Sequence, residues 1–259
     1  MLIDSHCHLD FSDFDHDRQH VIDECQRLSI TQWVVPGTEA KRWSGIMQLS
    51  QCYSGIKPAL GLHPYFLEQF QASDYDLLLQ LLATFSDKVV ALGEIGLDKA
   101  IDIDAELQKA VLIHQLHIAQ DFALPVILHH RRSHNELIAI LKKQRFTHGG
   151  IVHAFSGSLH EANSYIDLGF KLGIGGLITY PRASKTRDVV KQLPLQALVL
   201  ETDAPDMPPQ GKQGLRNNPQ NLIQILAELS QLRQQSPQDV GRQCSLNVIA
   251  TLKNMAVSA

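Results

Sequence analysis

Two histidines flank a single cysteine near the start of the sequence, His6 and His8 in DSHCHLD (4–10). On an extended strand, residues two apart share a face with Cα atoms roughly 6.6 Å apart. Both imidazoles can then close on one ion while Cys7 points the other way. Taken alone, an H-x-H pair more often means exposed or core histidines. The same grammar, an apolar run followed by a group that can bind a cation, recurs along the chain. Glu94 follows VVALG, His129 follows PVIL, His153 follows GGIV, and Asp203 lies shortly after ALVL; His63 stands beyond the run IKPAL. A carboxylate at the end of an apolar strand is costly to bury unpaired, so Glu94 calls for a cation or a salt bridge at a rim. Asp203 also suits a turn ahead of Pro205, and Glu201 competes with it as a ligand. Asp4, Asp10 and Asp98 read as ordinary strand-edge or loop charges.

Six such groups, His6, His8, Glu94, His129, His153 and Asp203, suit zinc, manganese or nickel better than calcium, which prefers oxygen alone. They exceed what one catalytic zinc with an open position needs. They fit two divalent ions if one carboxylate bridges. Two dications against two carboxylates leave a net charge of about +2 for an anionic substrate, and paired ions clamp both oxygens of a displacement.

Such residues must be brought together by the fold. Short apolar runs at 2–5, 32–36, 56–60, 89–93, 125–128, 149–152, 170–174 and 197–200 read as eight strands, starting 21 to 36 residues apart. Each interval has room for a crossover helix. Between them, largely apolar stripes recur at helical spacing, as in Leu107, Val111, Leu112, Ile118 and Ala119 with the polar Gln115 among them, or Leu222, Ile225, Leu226, Leu229 and Leu232. Ser73 and Ser236, the latter ahead of Pro237, mark helix starts. Eight strand–helix units predict a TIM (β/α)8 barrel, whose chemistry sits at the carboxyl ends of its strands. A doubly wound sheet is the alternative, but it carries a glycine-rich loop after its first strand, where this chain has His6, Cys7 and His8. No linker divides residues 1–259, so a single domain is expected.

Composition narrows the class further. The 259 residues are 44% hydrophobic and 19% charged, with 23 Lys and Arg against 27 Asp and Glu. A net charge of −4 argues against a broad grip on duplex DNA. No apolar run is long enough for a membrane span, the first residues lack the features of a signal peptide, and the four cysteines lack CxxC pairing. The expectation is a cytoplasmic protein with reduced thiols, no membrane association and no obligate protein partner.

Together, DSHCHLD (4–10), GLHP (61–64), GEIGLD (93–98), LPVILHHRR (124–132), HAFSGS (153–158) and ETDAPDMP (201–208) resemble the TatD family of metal-dependent deoxyribonucleases. ITYPRASKTRD (178–188) together with ETDAPDMP is most similar to its YjjV branch. The resemblance spans the chain. It implies a metallo-dependent hydrolase barrel with two divalent ions (zinc, manganese, nickel or magnesium) and phosphodiester cleavage at nucleic-acid ends, commonly 3′-to-5′ on DNA. It also implies that His6 and His8 bind the first ion and His129 and His153 the second, that Glu94 bridges them, and that Asp203 completes the first. His130 falls at a variable position. Lys99 and Ala100 stand where aromatic residues are frequent, and Asn218 where Glu is common.

Within that frame Asp203 is the group to accept a proton from the attacking water. His63, outside the implied ligand set, would hold a phosphate oxygen or protonate the leaving group, unless it only caps the turn before Pro64. Arg131 would bind substrate phosphate. Seven basic residues after strands five, seven and eight (Arg131, Arg132, Arg182, Lys185, Arg187, Lys212 and Arg216) suggest a funnel for anions. Tyr65, Phe66, Phe155 and Tyr180 are candidates to stack a base. His114 and His117 share a solvent-facing side of a helix. Hydrolysis of a small amide or lactone on the same barrel is the competing activity. It commonly uses a modified lysine where this chain has Glu94.

Overall fold

The computed structural model describes residues 1–255. Its strands are β1 (Leu2–Asp4), β2 (Ile30–Pro36), β3 (Ile56–Leu60), β4 (Ala91–Asp98), β5 (Val126–Arg131), β6 (Gly150–Val152), β7 (Phe170–Ile174) and β8 (Leu198–Leu200). They form one sheet in sequence order, with every neighbouring pair parallel. Two backbone bonds draw its outer strands together: Ser5 N–H donates to the Leu200 carbonyl and Asp203 N–H to that of His6, each at 2.9 Å. The crossovers carry α1 (Arg18–Arg27), α2 (Ala40–Cys52), α3 (Ser73–Thr84), α4 (Ala105–Asp121), α5 (His134–Lys143), α6 (Leu159–Asp167) and α7 (Ser184–Gln192). Two more helices, α8 (Leu222–Arg233) and α9 (Pro237–Thr251), follow β8. This is the nearly closed (β/α)8 barrel that the strand spacing predicts.

Strand alternation divides the core in two. Ile3, Val34, Ala59, Ala91, Ile127, Ile151 and Val199 form one buried cluster, the inward face of seven strands. Their neighbours on the other face, among them Trp33, Leu92, Leu128, Val152 and Leu200, belong to the larger cluster shared with the helices. Val248 and Leu252, in and just after α9, join the inner cluster. There Asn247 Nδ2 donates to the carbonyls of Leu195 and Leu198 at 2.8 and 2.7 Å, and Lys253 N–H donates to that of Val90 at 2.9 Å. Helix α9 thus closes the amino end of the barrel. Ser236 caps it, accepting from Asp239 N–H at 3.1 Å, with Pro237 in the first turn. Helix α3 differs from expectation: Ser73 is its first residue and Ala72 occupies the cap. Among the described residues, no helix is long and apolar enough to cross a membrane.

Strands β4 and β5 run further than their apolar runs. Their ladder shifts register between Leu92 and Ile95, then continues from Ile95 opposite Leu128 to Asp98 opposite Arg131. Glu94 therefore lies within β4, and His129 and His130 within β5. The reason is that these polar side chains enter a buried polar site instead of water. Asp98 N–H is further secured by the amide of Gln108, at 2.9 Å.

Candidate metal centre

His6 and His8, just beyond β1, bring their Nε2 atoms within 3.3 Å of each other. Glu94 Oε2 lies 3.1 Å from His6 Nε2 and 3.8 Å from His8 Nε2. Asp203 Oδ1 is 3.6 and 3.7 Å from the same two nitrogens. Four donors each about 2.0–2.2 Å from one tetrahedral ion stand about 3.4 Å apart. The separations among His6, His8 and Asp203 lie close to that value, so these three fit a divalent cation, with Glu94 at its edge through His6.

The other oxygen of Glu94 faces a different set. Oε1 is 3.0 Å from His129 Nδ1 and 3.4 Å from His63 Nε2. His153 lies nearer the first set: its ring stacks on that of His6 with centroids 3.7 Å apart, and its Nε2 is 3.7 Å from Asp203 Oδ1. Ligand atoms gather into three overlapping groups: His6, His8 and Asp203; His6, Glu94 and His153; His63, Glu94 and His129. All seven strand-end residues expected at the mouth are brought together. His129 and His153 fall in different groups, with rings 6.4 Å apart, and His63 joins a group despite its place outside the implied ligand set.

The charges are arranged for a cation. Burial works against the Glu94 carboxylate, but His63, His6, His153 and His129 around it hold its pKa well below the usual range. Burial and the neighbouring His6 hold His8 neutral, with its lone pair free. Burial also opposes charge on His153, yet Asp203, Glu201 and Glu94 together push its pKa up to about 10. Burial lifts Asp203 to about 6, against the pull of His153 and His6. The same field that holds a proton on His153 would favour a metal ion in its place.

Behind these groups stand carboxylates that the sequence reading treats as ordinary charges, or as a ligand. Asp4 is fully buried and raised to about 8 by that burial. It accepts from Thr202 N–H at 3.0 Å, Thr202 Oγ1 at 2.6 Å and His6 N–H at 3.3 Å. It thereby ties β1 to the loop bearing Asp203, whose φ of 59° is unusual for a residue other than glycine. The side chain of Asp10 is buried too, with Oδ1 4.0 Å from His8 Nδ1 and Oδ2 3.8 Å from Arg42. Asp98 Oδ2 is 3.3 Å from His129 Nε2. Glu201 does not face the site as a ligand: its Oε1 lies 2.9 Å from His153 Nδ1, behind the ring. A charged residue closing an apolar run, as in LID and LVLE, is the only signal that could have flagged Asp4 and Glu201.

A cavity of about 620 Å³ opens over these residues, rimmed by Phe11, Tyr65, Phe66, His130, Arg131 and Met207. Arg131 is exposed and, among the described residues, has no ion pair. The expected basic funnel is narrower than seven residues. Arg187 pairs with Glu228 at 2.6 Å, Lys212 binds Asn221, and Arg216 pairs with Asp17 and also bonds Asn218. Of the four aromatics, Tyr65 and Phe66 reach the cavity. Phe155 is buried, and Tyr180 donates its hydroxyl to the Pro208 carbonyl at 2.8 Å. His114 and His117 are exposed on α4, as expected.

The family described as TatD related DNase matches residues 3–253. The chain is 44% identical to the uncharacterized metal-dependent hydrolase YjjV of Escherichia coli over 98% of both chains. It is 31% identical to human deoxyribonuclease TATDN3, covering 98% of this chain and 96% of that one. The crystal structure of the E. coli TatD homologue YjjV superposes with a TM-score of 0.94 at 43% identity, over 98% of each chain. With fold and sequence in agreement over nearly its whole length, the chain belongs to the TatD family of metal-dependent hydrolases.

Proposed function

We propose that this protein hydrolyses phosphodiester bonds at nucleic-acid ends, using two divalent ions held by His6, His8, Glu94, His129, His153 and Asp203. The observation that carries this reading is Glu94, which presents one oxygen to the His6–His8 side and the other to the His129 side. Histidine-rich ligation favours zinc, manganese or nickel over magnesium. When bound, such ions supply Lewis-acid charge and acidify a water so that it attacks near neutral pH.

The side chains divide the remaining work. Asp203 is the more open of the two site carboxylates, 14% exposed against 3% for Glu94, and so is the one placed to take the proton of the attacking water. His63 Nδ1 accepts from Tyr65 N–H at 3.0 Å, so the proton of the neutral ring sits on Nε2, which lies 3.4 Å from Glu94 Oε1 in the cavity wall. Surrendering that proton would leave an anionic ring. His63 therefore donates a hydrogen bond to a phosphate oxygen, the first of its two expected roles. Arg131 adds a guanidinium at the rim, suited to gripping phosphate with two parallel bonds. The name of the human relative supports nucleic acid as the substrate class. Four free thiols agree with a cytoplasmic setting.

The test is nucleotide release from single-stranded oligonucleotides in the presence of added Mn²⁺ or Zn²⁺, beside panels of amides and lactones. Release confined to the oligonucleotides is expected. Turnover of amides or lactones alone would replace this reading with the competing one.

A further inference from the structure

Glu201 is wholly buried, one residue beyond β8. By alternation it follows Val199 on the inner face of the barrel. Beside it β7 contributes Gly173, paired with Val199, where the other strands contribute aliphatic side chains. A Cβ at Gly173 would stand 2.1 Å from Glu201 Oε2 and 2.5 Å from its Cδ. Gly173 does not have the positive φ that glycine alone tolerates readily. What it supplies is room for the carboxylate.

That carboxylate is committed on one side. Oε1 accepts from Ala154 N–H at 2.6 Å and lies 2.9 Å from His153 Nδ1, an ion-pair contact outside hydrogen-bond alignment, while Oε2 has no hydrogen-bond partner among the described residues. Ala154 itself has a φ of 46°, in the left-handed region that residues other than glycine rarely adopt. Burying a carboxylate is expensive, and here a glycine and a left-handed alanine both accommodate it.

We propose that Gly173 and Glu201 form one device that sets His153 for cation binding. Glu201 pairs its charge with Nδ1, fixes the ring and leaves the Nε2 lone pair facing the site. Gly173 keeps the space in which the carboxylate can do so. Glu201 is thus a positioning residue, acting through His153. The role rests on the metal reading above, in which His153 is a ligand.

The experiment measures Zn²⁺ and Mn²⁺ content and affinity by chelator competition, with melting temperatures of the cation-stripped proteins alongside. Glu201→Ala should weaken retention of a bound ion by about 10- to 100-fold. Glu201→Gln keeps the shape and an acceptor oxygen, and should lose less. Gly173→Ala alone should reproduce the Glu201→Ala loss, because its methyl group displaces the carboxylate. The double variant should bind no worse than Glu201→Ala and melt above Gly173→Ala, since the methyl then fills the space left by the carboxylate. Unchanged affinity with lowered melting temperatures would make Glu201 merely structural. Additive affinity losses in the double variant would uncouple it from Gly173. Either result overturns the device while leaving the metal centre intact. Wild-type protein that takes up neither ion would remove the metal reading, and this role with it.

Discussion

The two ends of the barrel are built from the same strands and have opposite contents. At the amino end, Ile3, Val34, Ala91 and Val199 meet Val248 and Leu252, and the polar groups present, such as Asn247, bond backbone carbonyls. A few residues further along the same strands, the inward positions become His129, His153 and Glu201. On β5, β6 and β8 alternation continues across the change, so Ile127 and His129, Ile151 and His153, and Val199 and Glu201 enter the same interior at different heights, whereas β4 reaches Glu94 through its register shift. One end stores stability by burying apolar surface. The other concentrates charge that no apolar core would tolerate without a cation or a partner. Substitutions at the two ends should therefore fail in different ways.

The largest effect is expected at Glu94. Removing the carboxylate that faces both sides should strip both ions and lower kcat/KM by about 10³-fold or more, about 4 kcal/mol. Metal analysis of Glu94→Ala beside wild type checks this. One ion in wild type, unaffected by the substitution, would end the bridging argument. Leu252→Ala should do the reverse. Leu252 is 4% exposed in the inner cluster, and its truncation should cost about 2–4 kcal/mol. That corresponds to a fall in Tm of roughly 4 °C or more. Metal content and the kcat/KM of the folded fraction should stay near wild type; a matching loss of activity would show that the ends are not independent.

Arg131→Ala belongs to the carboxyl end, but at its rim. Losing a charge-assisted grip on phosphate should lower kcat/KM by about one to two decades, roughly 1.5–3 kcal/mol, with both ions retained. The deficit should shrink at high salt, because the side chain is exposed. Its Tm should hold, since among the described residues Arg131 has no ion pair. A lowered Tm with unchanged kcat/KM would make it structural instead.

How much of this the sequence discloses follows from the same division. Apolar runs mark the stability end of each strand, so β3 and β7 are found as they stand and β1, β2, β6 and β8 to within two residues. They say little about where a strand continues through polar residues, and so β4 and β5 read short at Glu94 and His129. The site groups are legible because each follows an apolar run, directly at Glu94, His129 and His153 and a few residues later at His63 and Asp203. Asp4 and Glu201 are harder, because a buried carboxylate and a solvated one look alike until their partners, Thr202 and His153, are seen. For the same reason Arg187 and Arg216 resemble free rim cations, although Glu228 and Asp17 hold them.

The smallest effect tests the boundary between the two regions within a single tripeptide. His6 and His8 face the cation site, whereas Cys7 between them is wholly buried in the cluster shared with the helices, its N–H donating to the Val34 carbonyl at 3.0 Å. Burial pushes its thiol well above the usual pKa, the opposite of what a metal-binding thiolate requires. A cysteine there acts as a small apolar filler. Cys7→Ser should thus lower stability by about 1 kcal/mol through a buried hydroxyl, and leave metal stoichiometry and affinity at their wild-type values. A loss of bound ion without a change in Tm would mean that the segment turns its other face to the site, with the sulfur among the ligands.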